Sequence, residues 1–229
     1  MNGIFKKILC VVFFLLSVFL VWRIYSGIME PVNFNKQKAF REGVAIQRMK
    51  DIRTLQVAYK SVNGKFVSTV DSLIDFYKKG DMKIVMQIGS EDDSLAMVHT
   101  NAVKKGKKLT GKDLYNLYLA GDKKLVFSVE SKIPVRDTLF RGRTDFNVDS
   151  LKYIPFSGKK PVEMEAVVRM VSGVPVPLFE ARMPYKAFLN DLNPQLRINL
   201  DAERRDQNKY EGLQVGSVTA PNNNAGNWE

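Results

Sequence analysis

The sequence predicts an α+β fold, in which an N-terminal transmembrane helix leads into a long amphipathic helix packed on a mainly antiparallel sheet. Three observations support this prediction: an uncharged apolar run, an apolar stripe with helical spacing, and several short runs of β-branched and aromatic residues. The 229 residues are therefore expected to form a membrane anchor over 1–30, one folded domain over 31–215 and a flexible tail over 216–229.

The anchor is predicted from "ILCVVFFLLSVFLVW", residues 8–22, which contains no charged residue. Continued to Ile28, a helix of about 21 residues rising ~1.5 Å per residue matches a hydrocarbon core of about 30 Å. A cleaved signal peptide is the alternative, although no A-x-A-like site follows the run. The residues expected in the bilayer or at its edge are Ile8, Val11, Phe13, Leu16, Phe19, Trp22, Arg23 and Tyr25.

The flanking charges bear on the orientation of the anchor. Lys6 and Lys7 precede the apolar run, but basic residues also follow it, so the positive-inside count alone does not decide the orientation. A short basic tail before a signal anchor favours a cytoplasmic N-terminus. The predicted location is the inner membrane, with a single pass and the C-terminal domain in the periplasm.

The second helix is predicted from the stretch "AIQRMKDIRTLQVAYKSVNGKF". Pro31 is expected to interrupt the first helix, with a new helix beginning near Asn35 and ending at Asn63-Gly64. The face that it should bury consists of Ala45, Met49, Ile52, Leu55, Tyr59 and Val62, which recur every three or four residues. Packing on the protein's own sheet is the expected use of this face, and a coiled-coil dimer is the alternative.

The remaining sequence predicts short elements. "DSLIDFYKK" is typical of a short helix, whereas "KIVMQIG", "LAMVH", "KLVFSVE" and "LKYIPF" are expected to be strands. "KDLYNLYLAG" fits either a helix or a strand and loop. "VEMEAVVRMVSGVPVPLFEARM" predicts a hairpin that turns at Ser172-Gly173, with Pro175 and Pro177 on a sheet edge. Asn193-Pro194 should open the last helix.

Residues 36–80, with "DIRTLQVAYKSVNGKF" followed by "VSTVDSLIDFYKKG", resemble type IV pilins and the pseudopilins of type II secretion. The resemblance implies a pilin-like, tethered helix-on-sheet architecture. It does not extend to the glutamate that pilins carry early in the mature chain, whose place is taken by Lys7 or Ile8. "VAYKSVNGKF", "GVPVPLFEARMPY" and "NNNAGNWE" are similar to a single-pass family of Bacteroidota, which implies a Gram-negative envelope and no particular activity.

The formal net charge of +11 raises anionic partners as candidates. The one dense basic stretch is "VKKGKKLTGK", in which Lys104, Lys105, Lys107 and Lys108 could contact an anionic surface or form a solvated loop. No aromatic residue interrupts this stretch to stack on a base, so nucleic acid is not an expected partner. The expected partners are the lipid bilayer and other membrane or periplasmic proteins.

No catalytic or metal-binding constellation is apparent in the sequence. His99 is the only histidine and Cys10 the only cysteine, so a conventional zinc site and a disulfide are both unexpected. The acidic stretch "SEDDS" lacks the ligand spacing of a calcium loop, and no nucleophile elbow or phosphate loop is present. We therefore expect no enzyme activity, no cofactor and no small-molecule substrate.

Two functional hypotheses follow from these features. The first is a non-enzymatic, single-pass protein whose periplasmic domain is a structural or assembly component of an envelope complex, related to secretion or filaments. The second is a membrane-tethered binding module for an anionic envelope polymer or lipid headgroup, using the four lysines. A hydrolase would require a polar cleft that periodicity does not reveal.

Overall fold

The computed structural model describes residues 3–229, which form a mixture of α-helices and antiparallel sheets. The helices are α1 (Gly3–Asn63), α2 (Val70–Lys79), α3 (Ser94–Lys104), α4 (Gly111–Leu119), α5 (Val135–Thr138), α6 (Tyr185–Phe188) and α7 (Pro194–Asp206). The strands are β1 (Asp81–Ile88), β2 (Phe127–Pro134), β3 (Glu163–Val171), β4 (Val174–Pro184) and β5 (Gly212–Gly216).

Helix α1 is continuous over 61 residues and contains Pro31, so the predicted interruption and new start near Asn35 are wrong. Proline removes one backbone hydrogen bond and crowds the preceding turn, at a cost of about 3 kcal/mol. Contacts on both sides offset that cost, because Glu30 accepts a hydrogen bond from the Asn193 side chain and Phe34 is buried. The predicted end is confirmed: Gly64 has φ of 73° and its N–H donates to the Lys60 carbonyl at 2.8 Å.

The chain forms two compact units. Unit 1 contains the residues up to Thr54 together with Ser150–Glu229, and unit 2 is Leu55–Asp149. The buried stripe of α1 is divided between them, since Ile52 belongs to unit 1 and Leu55 to unit 2. One long helix thereby supplies apolar residues to two units, which the continuous periodicity of its sequence does not reveal.

The sheet of unit 1 has the order β3-β4-β5 and is antiparallel throughout. The predicted hairpin is confirmed, with Ser172 and Gly173 at φ of 51° and 82° between the paired residues Val171 and Val174. Both positive φ values are those of a type I′ turn, whose twist matches the strands. Pro175 and Pro177 lie beyond the part of β4 that β5 pairs, so they occupy an edge as predicted.

Unit 2 contains the antiparallel strand pair β1 and β2. Along the chain, α2 precedes β1, α3 and α4 lie between the two strands, and α5 follows β2. The predicted strand "LAMVH" is wrong, because these residues belong to α3. Asp93 is its N-cap, and one carboxylate oxygen accepts the N–H groups of Leu95 and Ala96, both at 3.1 Å. For "KDLYNLYLAG", the sequence allowed either a helix or a strand and loop. The structure has a helix here, α4, which begins with a capping box formed by Thr110 and Asp113.

The predicted strand at 151–156 is also wrong. A 3-10 helix, Val148–Lys152, ends within this segment, and Tyr153 then makes only an isolated bridge with Pro161. Leu151 is buried there, so its apolar character reflects burial and not strand pairing. In contrast, the predicted start of α7 is confirmed, because the Asn193 side chain accepts the N–H of Leu196 and Pro194 occupies the first turn.

The segment 216–229, expected to be a flexible tail, folds back along β5. The N–H of Gly216 donates to the Ala225 carbonyl at 3.0 Å, and the N–H of Asn227 donates to the Gln214 carbonyl at 2.9 Å. Val218 is buried, and its N–H donates to the buried carboxylate of Glu180. Low apolar content suggested flexibility, but backbone and amide hydrogen bonds attach this segment to the sheet.

Candidate membrane anchor and adjoining surfaces

The N-terminal half of α1 is apolar and exposed. Its best 18-residue window has a mean hydropathy of 2.5, and none of that window is buried. It is the single candidate span within residues 3–229, near the N-terminus, where signal sequences have the same pattern. Every residue of the predicted anchor lies on this exposed half: Ile8, Val11, Phe13, Leu16, Phe19, Trp22, Arg23 and Tyr25.

The second half of α1 buries most of the face predicted for it. Ala45, Met49, Ile52 and Leu55 are completely buried, and Tyr59 is half-buried with its ring 5.1 Å from that of Phe76. Val62 does not belong to the buried face, since it is 37% exposed in the last turn of the helix. The buried face is therefore only about four turns long and lies in the C-terminal part of the helix.

Arg41 joins α1 to the segment that follows α6. Its guanidinium donates to both carboxylate oxygens of Asp191, one at 2.8 Å, and to the Phe188 carbonyl at 2.8 Å. The hydrogen bonds from Arg41 hold the pKa of Asp191 below its usual value. The carboxylate is therefore charged at neutral pH, and the fork geometry fixes its orientation.

Two further arginines join α1 to other segments of unit 1. The Arg48 guanidinium donates to the Tyr153 carbonyl, and its burial lowers the pKa of Arg48. Arg53 contacts a Glu229 carboxylate oxygen at 2.6 Å and the Asn224 carbonyl at 3.3 Å. The helix that leaves the exposed segment is thus bound at three levels to segments at least 105 residues away in sequence.

The role of these arginines is not evident from the sequence, because helical arginines usually form a solvated face. Arg41 and Arg48 are seven residues apart, which places them on one side of the helix. That spacing beside the buried stripe was the only available signal. Their acceptors are backbone carbonyls and a loop carboxylate, which carry no recognisable sequence pattern.

A groove of about 570 Å³ lies in unit 1 where the exposed half of α1 meets the segment before α7. Trp22, Tyr25 and Met29 line the groove from α1, and Leu192 lines it from the segment before α7. Glu30, Asn33, Asp191 and Asn193 supply polar groups, and Glu30 accepts a hydrogen bond from the Asn193 amide across the groove. Among the described residues that line it there is no lysine or arginine.

The four lysines proposed for an anionic contact lie in unit 2. Lys104 ends α3, and Lys105, Lys107 and Lys108 follow it in a turn. All four are exposed, and within the described part of the chain none of them has a carboxylate at salt-bridge distance. The structure therefore presents a basic turn to solvent, as both of the sequence-based interpretations require.

The structure brings together no catalytic set from the sequence candidates. His99 lies on α3, and its Nε2 is 2.8 Å from a carboxylate oxygen of Asp122. A cavity of about 560 Å³ adjoins this pair, and Leu95 beside it is 84% exposed. Over residues 3–229, no group of three or more His, Cys, Asp and Glu side chains is arranged to hold a metal ion.

No family model matches the chain, and no curated protein or solved structure is significantly similar to it.

Proposed function

We propose that this protein is a non-enzymatic, single-pass inner-membrane protein whose periplasmic part is a structural or assembly component of an envelope complex related to secretion or filaments. One observation carries the proposal: the exposed apolar segment and the buried stripe of unit 1 belong to one continuous helix, α1. A helix of this kind fixes a folded unit beside a bilayer without a flexible linker.

The apolar half of α1 supports membrane insertion, because water is a poor environment for it. Phe14 and Val21 are each 67% exposed, and Trp22 is 61% exposed. Contiguous apolar surface of this extent is rare on soluble monomers and is typical of membrane or protein contacts. Residues 8–28 supply about the length that a bilayer core requires.

An assembly role is supported by a second exposed apolar surface on the β3–β4 hairpin. Val168 and Met170 are 59% and 68% exposed, and they pair with Pro177 and Pro175 on the neighbouring strand. Because the two prolines lack an N–H, this stretch of β4 is poorly suited to adding another strand by backbone hydrogen bonds. The exposed side chains themselves are therefore the part of the hairpin suited to contact another protein.

The test uses the full chain in intact cells. A photo-crosslinking amino acid at Met170 should give one discrete adduct, and the same residue at Asn222, an exposed polar site of unit 1, should not. Native electrophoresis of the detergent-solubilised protein should show a stable complex far larger than the 26.0 kDa chain. Recovery as a monomer only, with no adduct that depends on position 170, would contradict the proposal.

The basic turn after α3 supports a second candidate function, a tethered module that binds an anionic envelope polymer. Its four lysines are exposed and unpaired by carboxylates within the described residues. Binding through them should weaken as salt is raised, because screening acts strongly on exposed charges. Replacing Lys104, Lys105, Lys107 and Lys108 by Gln should abolish salt-sensitive binding to a polyanion column, and unchanged retention would remove this candidate.

A further inference from the structure

We propose that the groove between Trp22 and Leu192 binds a phospholipid whose headgroup carries an amine, and so seats unit 1 on the membrane surface. This inference rests on the proposed membrane anchoring. It adds a ligand class and a binding site on this chain that anchoring alone does not require.

The position of the groove relative to the bilayer follows from the rise of α1 per residue. If the hydrocarbon core ends near Ile28, Glu30 and Asn33 lie about 3 and 8 Å above that boundary at ~1.5 Å per residue. The headgroup layer is roughly 5–7 Å thick on each side of the core. Glu30 therefore lies at headgroup depth and Asn33 at the outer edge of that layer, whereas the apolar end at Trp22 and Tyr25 lies at the level of the upper acyl chains.

The apolar end has the composition of a lipid contact. Trp22 and Tyr25 are 61% and 62% exposed, and both side chains line the groove with Met29. Their aromatic rings supply a large apolar surface that an acyl chain can cover. An acyl chain beside these rings would continue the contact that the lower turns of α1 make with the bilayer.

The charge of the polar end selects the headgroup. Its described lining contains the carboxylates of Glu30 and Asp191 and the amides of Asn33 and Asn193, with no basic side chain. Arg41 neutralises Asp191 from outside the groove, and that leaves Glu30 as the carboxylate without a basic partner among the described ion pairs. An ammonium group finds an opposite charge here, whereas a purely anionic headgroup meets a like charge in a medium of reduced dielectric constant.

The groove is also held open by contacts made within unit 1. Asn193 donates from its side-chain amide to Glu30 and accepts the N–H of Leu196 with its oxygen, so this one residue joins α1 to α7. The Arg41 contacts with Phe188 and Asp191 fix the opposite wall. The site is thus preformed, which reduces the conformational entropy lost when a lipid binds.

The chain offers a direct probe, because Trp22 lines the groove and Trp228 is the only other tryptophan. The full-length Trp228→Phe protein is placed in bilayers of equal parts phosphatidylethanolamine and phosphatidylglycerol, with brominated acyl chains on one lipid or the other. Brominated phosphatidylethanolamine should quench Trp22 about two- to five-fold more strongly, the preference expected of one exposed ion pair. Equal quenching, or stronger quenching by phosphatidylglycerol, would overturn the proposal.

A matched pair of variants tests whether the Glu30 carboxylate causes the preference for phosphatidylethanolamine. Glu30→Gln keeps an acceptor oxygen for Asn193 and should reduce the preference to about one. Glu203→Gln makes the same charge change at an exposed position of α7 and should leave it unchanged. If both variants keep the preference, Glu30 does not select the lipid and the proposal fails.

The depth of unit 1 relative to the membrane is measured separately with spin labels in a Cys10→Ser background, since Cys10 is the only cysteine. A nitroxide at Leu192→Cys should lie at headgroup depth. A nitroxide at Asn222→Cys should lie in water, because its segment adjoins Arg53, roughly 35 Å along α1 from Glu30. Alkaline carbonate extraction distinguishes the failures: release of the protein contradicts the anchoring, whereas retention with a fully hydrated label at 192 contradicts only this inference.

Discussion

Arg41 and Asp191 are 150 positions apart in sequence and form a bidentate ion pair in unit 1. The Arg41 side chain is 11% exposed, whereas that of Asp191 is 59% exposed. The arginine is thus largely withdrawn from water, and its partner is at the surface. This pair, with the hydrogen bond to Phe188, holds the segment after α6 against α1.

Removing the charge of Asp191 should destabilise the folded protein modestly. Asp191→Asn is expected to lower the free energy of unfolding by about 1 kcal/mol, a value reduced from that of a buried pair because the carboxylate is mostly exposed. Urea unfolding of the full chain in detergent micelles measures the change. A double-mutant cycle with Arg41→Gln should show coupling, and strictly additive effects would mean that the pair contributes nothing.

The same pair predicts a dependence of stability on pH. Asp191 has a lowered pKa in the folded state, so the stabilisation is complete above the unfolded value of about 3.9. It disappears as the pH falls through the lower folded pKa, where the carboxylate gains a proton. The difference in unfolding free energy between the parent and Asp191→Asn should therefore be constant from pH 5 to 7 and shrink below about pH 4. A difference that grows on acidification would contradict this assignment.

The buried stripe of α1 should dominate the stability of the fold. Ile52 is completely buried, and Ile52→Ala is expected to lower the free energy of unfolding by about 2–5 kcal/mol through lost burial and the cavity left behind. Val57 on the same helix is 48% exposed, and Val57→Ala should change it by less than about 0.5 kcal/mol. Thermal unfolding followed by circular dichroism compares the two variants directly.

Asn227 should stabilise the folded position of the C-terminal segment. Its side-chain amide donates to the Gly212 carbonyl at 2.9 Å, and its side-chain oxygen accepts the Gln214 N–H at 3.1 Å. Asn227→Ala removes both bonds and should cost about 1–2 kcal/mol. Faster amide hydrogen exchange at Gln214 is the local readout, with Asn101→Ala at an exposed site of α3 as the control. Fast exchange at Gln214 already in the parent would show that the segment is mobile.

Charges in the apolar half of α1 should prevent stable insertion. Replacing Phe13 and Leu16 by Arg places two charges near the centre of the segment, each costing about 3 kcal/mol on insertion scales. The variant should be released by alkaline carbonate, whereas Leu119→Arg, at a residue that is 60% exposed in α4, should remain in the membrane. N-terminal sequencing of the parent should recover the residues before Ile8. A mature chain that begins after Tyr25 would identify the segment as a signal sequence.

Local signals in the sequence were sufficient for elements whose ends are chemically marked. The hairpin turn required two residues that accept positive φ, and Ser172-Gly173 supplied them between two alternating apolar runs. The start of α7 was marked by Asn193 as a cap and Pro194 in the first turn. In both cases the residues that determine the structure are adjacent in sequence.

The errors arose where distant contacts outweighed a local preference. Pro31 ordinarily ends a helix, but Glu30 and Phe34 hold the chain in place on both sides of it. "LAMVH" has the composition of a strand, yet the Asp93 cap directs it into a helix whose Leu95 stays in solvent. The groove itself was not predictable, because it needs residues 22–37 to lie beside a segment more than 150 positions later.

The unbroken course of α1 has a mechanical consequence. Transmembrane helices tilt by about 20° on average to match the thickness of their bilayer. For a stiff rod, that tilt would move the level of Arg53, roughly 35 Å beyond Glu30, sideways by about 12 Å. In the proposed membrane-spanning arrangement, a change in bilayer thickness would therefore displace the far end of unit 1 sideways, so its distance from neighbouring molecules would depend on the surrounding lipid.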